Sequence, residues 1–330
     1  MTKTALITGI SGQDGHHLTK FLLDKGYKVF GVENGQRNSR VESFKMLFPE
    51  AKLLQGDLTD FASLFSILDE VKPQEIYNLG AISFVGLSFK QPELTADVTG
   101  LGALRILEAI RRVGLTESRF YQASSSEMFG KVQCVPQNEK TPFYPRSPYG
   151  VAKTFAHYTS VNYREAYGIH SSNGILFNHE GEYRGHEFVT RKITSNVARI
   201  KLGVQDTFEL GSLEPRRDWG YAGDYVEAMW LMLQQDTPDD YVIATGESHS
   251  VADFVHAALI AAELEPDINR YVRFDQNLIR PSEVDLLVGD ATKASVELDW
   301  RPKTSFNALV NLMVEADLRI EFEKKTSNKY

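Results

Sequence analysis

The chain has 330 residues, 42% of them apolar, and a formal charge of −8; that is enough to bury one large core or two unequal ones. The charge is spread along the sequence rather than gathered in blocks, which excludes a nucleic-acid surface and an acidic tail, so any anionic ligand must be held locally. No run approaches the ~20 apolar residues of a membrane span, and a single cysteine, Cys134, excludes an internal disulfide.

Met1 to Ile7 leads directly into a glycine turn, so neither a leader nor a membrane anchor is expected, and the lone thiol fits a reducing, cytoplasmic setting. Cys134 also follows Ser125 and Glu127 closely enough to raise the idea of a thiol beside a pocket.

Ala5 to Thr8 reads as a first strand, Gly9 to Gly15 as a glycine loop, and Leu18, Phe21 and Leu22 as one face of a helix that stops at Gly26. Strands follow at Tyr27 to Val32, Lys52 to Gln55 and Glu75 to Leu79, with helical patterns from Thr59 to Val71 and from Glu93 to Val113. A fifth strand, Arg119 to Ser124, delivers a Ser/Glu cluster at its carboxyl end, where open α/β sheets bind ligands. Tyr149 to Tyr167 reads as one long helix closed by Gly168, and Ser171 to Phe177 as another strand. This alternation predicts an α/β fold, a doubly wound parallel sheet of the Rossmann type. Past about Asn178 the pattern becomes irregular, which predicts a smaller, discontinuous α/β substrate domain. The expected division is 1–177 plus 221–247 for the dinucleotide and 178–220 plus 248–330 for the substrate.

Gly9, Gly12 and Gly15, with Gln13 and Asp14 between them, have the spacing that lets backbone approach a diphosphate at a helix N-terminus. Taken alone, the same spacing fits a helix-start loop with incidental glycines. Glu33, with Asn34 after it, ends the second strand where a carboxylate can accept hydrogen bonds from an adenosine ribose, which favours NAD. An NADP phosphate would need Arg37 or Arg40 to offset Glu33. Asp57, with Leu58, is a candidate for the adenine edge and equally for a helix N-cap.

Tyr149 and Lys153 are four apart and share a helix face. A nearby ammonium and a positive nicotinamide both favour the phenolate, so the Tyr149 pKa is expected to fall and let it act as a base. Ser125 would share a hydrogen bond with the alcohol that Tyr149 deprotonates; the bland alternative is a strand-end serine capping a turn. Glu127 extends the chemistry, because oxidising a ring alcohol acidifies the adjacent C–H and a carboxylate there can remove that proton and assist loss of a hydroxyl. Its alternative is a surface glutamate. No metal is called for.

Long stretches carry a resemblance over nearly the whole chain. Among them are Tyr77-Asn78-Leu79-Gly80-Ala81, Thr141 to Tyr149, Gly174-Ile175-Leu176-Phe177-Asn178-His179-Glu180, Phe188 to Ile193 and Arg217-Asp218-Trp219-Gly220. In these the sequence resembles the GDP-mannose 4,6-dehydratases of the extended short-chain dehydrogenase/reductase superfamily. The resemblance implies a hydro-lyase acting on a GDP-sugar or another nucleotide sugar, with a cofactor reduced and reoxidised within each cycle. It implies catalytic roles for Ser125, Glu127, Tyr149 and Lys153, and sugar-nucleotide contacts from Asn178, Lys192, Arg217, Arg280 and Glu283, with Arg184 and Arg216 as weaker candidates. Three departures stand out: Ser125 replaces a threonine, Phe84 a histidine, and Val32-Glu33-Asn34-Gly35 a longer loop with paired arginines that hold an NADP phosphate and a tetramer contact. The changed loop favours NAD and a homodimer over NADP and a tetramer. A nucleotide-sugar 4-epimerase or decarboxylase of the same superfamily, and a non-catalytic nucleotide sensor, are the alternatives.

Overall fold

A computed structural model describes residues 2–36, 38–278 and 286–327 of the chain. Its first half alternates strands and helices. Strand β1 (Thr4–Thr8) leads to α1 (Gln13–Asp24), β2 (Lys28–Glu33) to α2 (Ser39–Leu47), and β3 (Lys52–Gln55) to α3 (Phe61–Val71). Strand β4 (Glu75–Asn78) is followed by α4 (Val85–Lys90), α5 (Pro92–Thr95), a π-helical segment (Ala96–Leu101) and α6 (Gly102–Val113). Then come β5 (Arg119–Ser125), α7 (Pro148–Tyr167) and β6 (Ser171–Leu176).

The second half holds β7 (Asn178–Glu180), α8 (Val189–Lys201), β8 (Phe208–Leu210), β9 (Arg216–Arg217), β10 (Trp219–Tyr221) and α9 (Ala222–Met232). It continues with β11 (Asp240–Ile243), β12 (His249–Ser250), α10 (Val251–Ala261), α11 (Ile268–Tyr271), β13 (Val272–Phe274), α12 (Thr292–Glu297) and α13 (Phe306–Ser327).

Seven strands form one parallel sheet in the order β11-β6-β5-β4-β1-β2-β3. The order reverses between β1 and β4, and in such sheets the crevice beyond the strand ends at that point is where ligands sit. Two side-chain clusters fill the faces of the sheet. Ile7, Leu18, Tyr77, Met229 and Trp300 lie on one, and Leu6, Leu64, Ile106 and Phe120 on the other. A separate cluster of Ile193, Val197, Phe254, Val310 and Met313 joins α8, α10 and α13 beside three two-stranded pairings, β10-β7, β12-β9 and β13-β8. The chain passes back to the sheet more than once, since Ala294, Leu298 and Trp300 pack in the cluster with Ile7 and Leu18.

Two elements depart from the expected pattern, each for a local reason. The helix anticipated from Glu93 to Val113 carries a π turn, where Thr99 Oγ1 accepts a hydrogen bond from Ile82 N at 3.0 Å and Gly100 lies against Ala152 and Phe155 of α7. Widening one turn lets the helix meet both neighbours, a use π bulges often have. The cap of α3 is Asp60, which accepts from Ala62 N and Ser63 N. Asp57 instead folds into its own turn, accepting from Thr59 N at 2.8 Å and Thr59 Oγ1 at 2.7 Å.

Candidate active site

The glycine loop is shaped by contacts that leave no room for a side chain. Gly9 has φ +69°, and a Cβ there would stand 2.8 Å from Gly80 Cα; a Cβ on Gly15 would stand 2.1 Å from Ile10 O. The loop therefore presents bare backbone, and α1 opens at Gly12 with no side-chain cap, leaving its first N–H groups to face the cleft. Glu33 Oε1 accepts from Ser11 N at 3.2 Å, which places this carboxylate against the loop.

A cleft of about 1200 Å³ runs from this loop along the ends of β4, β5 and β6 to α8 and β9. Ser125, Glu127, Tyr149 and Lys153 all line it, facing Gly9, Gly12, Gln13, Asp14 and Gly15. Strand β5 delivers Ser125 at its last position, and Glu127 follows in a single 3₁₀ turn whose amide donates to Ser125 Oγ at 3.2 Å. Ser147 caps α7 by accepting from Gly150 N at 3.0 Å, with Pro148 in the first turn, so Tyr149 enters the cleft at the helix start and Lys153 one turn later.

Ser125 and Tyr149 line the cleft together, and the Ser125 hydroxyl acts to lower the Tyr149 phenol. Lys153 Nζ donates to Ala123 O at 2.6 Å and lies 5.7 Å from the Tyr149 ring centre. In the protein by itself the Tyr149 phenol is pushed up, not down: burial raises it, the Glu127 charge adds to that, and the Ser125 hydroxyl only partly opposes them. Burial also lowers the Lys153 ammonium to about 8. The expected depression of Tyr149 thus requires the charge of an oxidised nicotinamide.

Asn178, Lys192, Arg217 and Arg184 also line the cleft. Arg184 pairs with the buried Glu180 at 2.9 Å and covers the Phe188 ring at 3.6 Å. Arg216 points elsewhere, donating to Ser248 O at 2.7 Å. Phe84 meets Phe188 edge-on at 5.9 Å and walls one end. Asn34 Oδ1 accepts from Gln36 N on the surface, and Glu33, Asn34, Asp57 and Leu58 are not among the residues lining the cleft. Arg37, Arg280 and Glu283 lie outside the described residues. Cys134 is exposed, hydrogen-bonds Thr141 at 3.1 Å and does not line the cleft.

Sequence reasoning missed two cleft-lining groups. His179, on β7, pairs with Asp14 at 2.9 Å, and Glu187 takes both hydrogen bonds of Arg40, at 3.1 and 3.2 Å. A bound dinucleotide fits what is present. The glycines leave a cradle that side chains at their positions would fill, and Gln13 Oε1 and Asn178 Oδ1 are buried in the same cleft without a hydrogen-bond partner.

A parallel sheet with its crevice at the β1/β4 reversal, a glycine cradle and a Ser–Tyr–Lys set at the adjoining strand end define an extended short-chain dehydrogenase/reductase. Residues 6–313 match the family described as GDP-mannose 4,6 dehydratase, and the chain belongs to that family. The GDP-mannose 4,6 dehydratase of Cricetulus griseus is 51% identical over 342 residues, covering 96% of this chain and 92% of that one. That of Sinorhizobium fredii is 49% identical over 339 residues, covering 96% and 97%. Among solved structures, a Thermus thermophilus UDP-glucose 4-epimerase in complex with NAD superposes with a TM-score of 0.83 at 27% identity, covering 95% and 98%.

Proposed function

We propose that this chain is a nucleotide-sugar 4,6-dehydratase that converts GDP-mannose to GDP-4-keto-6-deoxymannose. The observation that carries the reading is the convergence of Ser125, Glu127, Tyr149 and Lys153 on one cleft facing the glycine loop. Gly9, Gly12, Gln13, Asp14 and Gly15 would hold the diphosphate of NAD, Glu33 and Asn34 its ribose, Asp57 and Leu58 its adenine side, and Lys153 the nicotinamide ribose. When bound, the nicotinamide supplies a hydride acceptor that later gives the same hydride back. Tyr149 receives the proton of the C4 hydroxyl while Ser125 donates a hydrogen bond to that oxygen. Glu127 withdraws the C5 proton, now acidified by the neighbouring ketone, and passes it to the C6 hydroxyl, which leaves as water; C6 then takes the returned hydride and C5 the proton that Tyr149 had received, which gives the 4-keto-6-deoxy sugar and restores every group. Asn178, Lys192 and Arg217 would hold the sugar nucleotide, and Arg280 and Glu283 are assigned the same role from the sequence, the guanidinium groups suiting a diphosphate.

We assign residues 1–177 and 221–247 to cofactor binding, and 178–220 and 248–330 to the sugar nucleotide. Val151, Phe155 and Tyr158 recur on one face of α7 and are exposed, with Leu94 and Leu101 exposed on the adjoining segment. A homodimer that covers this row accounts for it. Among the described residues no helix is long and apolar enough to cross a membrane, and the exposed lone thiol suits a reducing cytoplasm.

Incubation with GDP-mannose and NAD or NADP, followed by mass spectrometry of the sugar nucleotide, tests the activity. Loss of one water with a 4-ketone supports it. Conversion to an isomer of unchanged mass would replace it with an epimerase. Dehydration of UDP- or dTDP-hexoses alone would move the substrate away from GDP.

A further inference from the structure

One turn beyond Lys153, α7 carries a buried histidine that the reaction above does not use. His157 Nδ1 lies 3.1 Å from Ser124 Oγ, and its Nε2 lies 3.7 Å from Asp240 Oδ2. Ser124 immediately precedes Ser125 on β5, and both line the cleft. Asp240, on the outer strand β11, is itself fixed. Arg164 grips both of its oxygens at 3.0 and 3.2 Å, and Asn173 Nδ2 donates to it at 2.7 Å. The remaining faces of the imidazole meet rings: Phe143 edge-on at 5.1 Å, from the loop leading to Tyr149, and Tyr158 at 5.4 Å. Phe143 in turn packs on Phe129, two residues past Glu127.

Burial holds His157 below the ordinary histidine range, with the Asp240 charge opposing it. At neutral pH the ring is therefore neutral. With its proton on Nε2, toward the carboxylate, it accepts the Ser124 hydroxyl at Nδ1. The hydrogen bond from Ser124 to His157 links β5 to α7, and the Asp240 carboxylate, held by Arg164 and Asn173, faces the other ring nitrogen at 3.7 Å, close enough to orient it by charge though too long for a hydrogen bond. This link ties the end of the strand that carries Ser125 and Glu127 to the helix that carries Tyr149 and Lys153.

We propose that Ser124, His157 and Asp240 are positioning residues for this reaction, setting the height of the β5 end against α7 so that the Ser125 hydroxyl and the Tyr149 phenol meet the same sugar oxygen. Of the three only Ser124 lines the cleft, with its hydroxyl engaged by His157, while His157 and Asp240 stand behind it. A misplacement of an ångström or less at the reacting atoms lowers turnover without changing how the nucleotide is held. A histidine that merely fills the core would instead contribute only to stability.

The inference rests on the dehydratase reading, and the experiment separates the two. Ser124→Ala, His157→Leu and the double variant are compared with wild type for GDP-mannose turnover, melting temperature and dinucleotide affinity by calorimetry. Removing this neutral hydrogen bond is expected to lower kcat about tenfold in each single variant with KM changed less than about twofold. The double variant is expected to be no slower than the worse single one, because both remove the same link. His157→Gln, whose amide oxygen can still accept from Ser124, is expected to recover part of the loss. Unchanged kcat alongside a lowered melting temperature overturns the proposal, as do independent, multiplicative losses in the double variant. The small Ser124→Ala change keeps the test available if His157→Leu does not fold. If wild type binds dinucleotide but does not turn GDP-mannose over, the functional reading fails. The inference is then decided by dinucleotide affinity, which Lys153 shares in setting: an equal loss of about threefold or more in both single variants supports it, and wild-type affinity in both overturns it.

Discussion

The Asp14 carboxylate and the His179 imidazole meet at 2.9 Å, joining the glycine loop to strand β7 across 165 residues of sequence. Burial would raise the Asp14 carboxyl, but His179 and the Gln13 amide overcome it and hold it well below the carboxylate range. Burial would lower His179, and Asp14 together with Phe177 O overcomes that and raises it. Arg184, His17, Lys153, Tyr149 and Tyr121 also interact with this pair, and Glu182 with His17. The carboxylate, depressed in the fold, contributes stability above its ordinary pKa and loses it as pH falls. The imidazole, raised in the fold, contributes fully below its ordinary pKa and loses it as pH rises through the raised value. His179→Gln is therefore expected to lower stability most near pH 5–6, by roughly 2 kcal/mol, less than for a fully buried pair because the two side chains are 13% and 21% exposed. The deficit should shrink by about pH 9. Melting curves of both proteins across this range check it; a gap constant with pH would show that no ion pair is involved.

Lys153 is expected to cost the fold stability while serving the reaction. Burial lowers its pKa from 10.5 to about 8, so between those values the unfolded chain binds the extra proton and stability rises with pH. At pH 7 the buried ammonium is an expense that Lys153→Met removes, although the substitution leaves Ala123 O without its donor. The net gain is expected to be about 1 kcal/mol at pH 7, to vanish between about pH 8 and 9, and to have turned into a loss by about pH 10, where the missing donor to Ala123 O outweighs what is left of the penalty. Turnover should fall about 100-fold or more. Calorimetry at the two pH values reads the first effect, and a melting temperature below wild type at pH 7 would contradict it.

Local signals carried most of the fold. The helix read from Tyr149 to Tyr167 spans Pro148–Tyr167 and ends at Gly168 with φ +67°, because the Ser-Pro start and glycine stop are written in adjacent residues. Even the polar strand expected from Ser171 to Phe177 forms, as Ser171–Leu176, fully buried between β5 and β11. What escaped was partnership between distant segments. Nothing near Asp14 announces His179, although His179 sits within one of the long matched stretches. Nothing near Arg40 announces Glu187. The direction of the Tyr149 shift in the protein by itself is hidden for a related reason: charges can be counted along a helix, but the desolvation that outweighs them depends on everything packed around the ring.

The Arg40–Glu187 pair bears on cofactor choice. Arg40, at the start of α2, makes two hydrogen bonds to a carboxylate on the loop before α8, and both residues line the cleft. While so engaged, Arg40 is not offered to a 2′-phosphate, and Glu33 adds negative charge at the loop. Glu187→Gln frees the guanidinium and is expected to raise NADP affinity relative to NAD. The pair is half exposed and worth no more than about 1 kcal/mol, so the ratio should move by up to about fivefold and less at high salt. Titration with each dinucleotide measures it, and an unchanged ratio would show that Arg40 does not reach the phosphate.

Glu127 separates dehydration from simple oxidation, and its geometry makes the separation testable. Its backbone N–H holds Ser125 Oγ at 3.2 Å while its side chain lines the same cleft as Tyr149. Glu127→Gln preserves the backbone bond and the side-chain shape, so Ser125 and Tyr149 keep their places and C4 oxidation stays available. What disappears is the group that carries a proton from C5 to the departing C6 hydroxyl. A positioned acid/base of this kind contributes about 10²- to 10⁴-fold, and the rate of water loss should fall by that amount. The 4-keto hexose that still bears its C6 hydroxyl should then accumulate, where borohydride can trap it and mass spectrometry can distinguish it from the 6-deoxy product. Normal formation of the 6-deoxy product by this variant would remove Glu127 from the mechanism and leave the proton transfer to another group in the cleft.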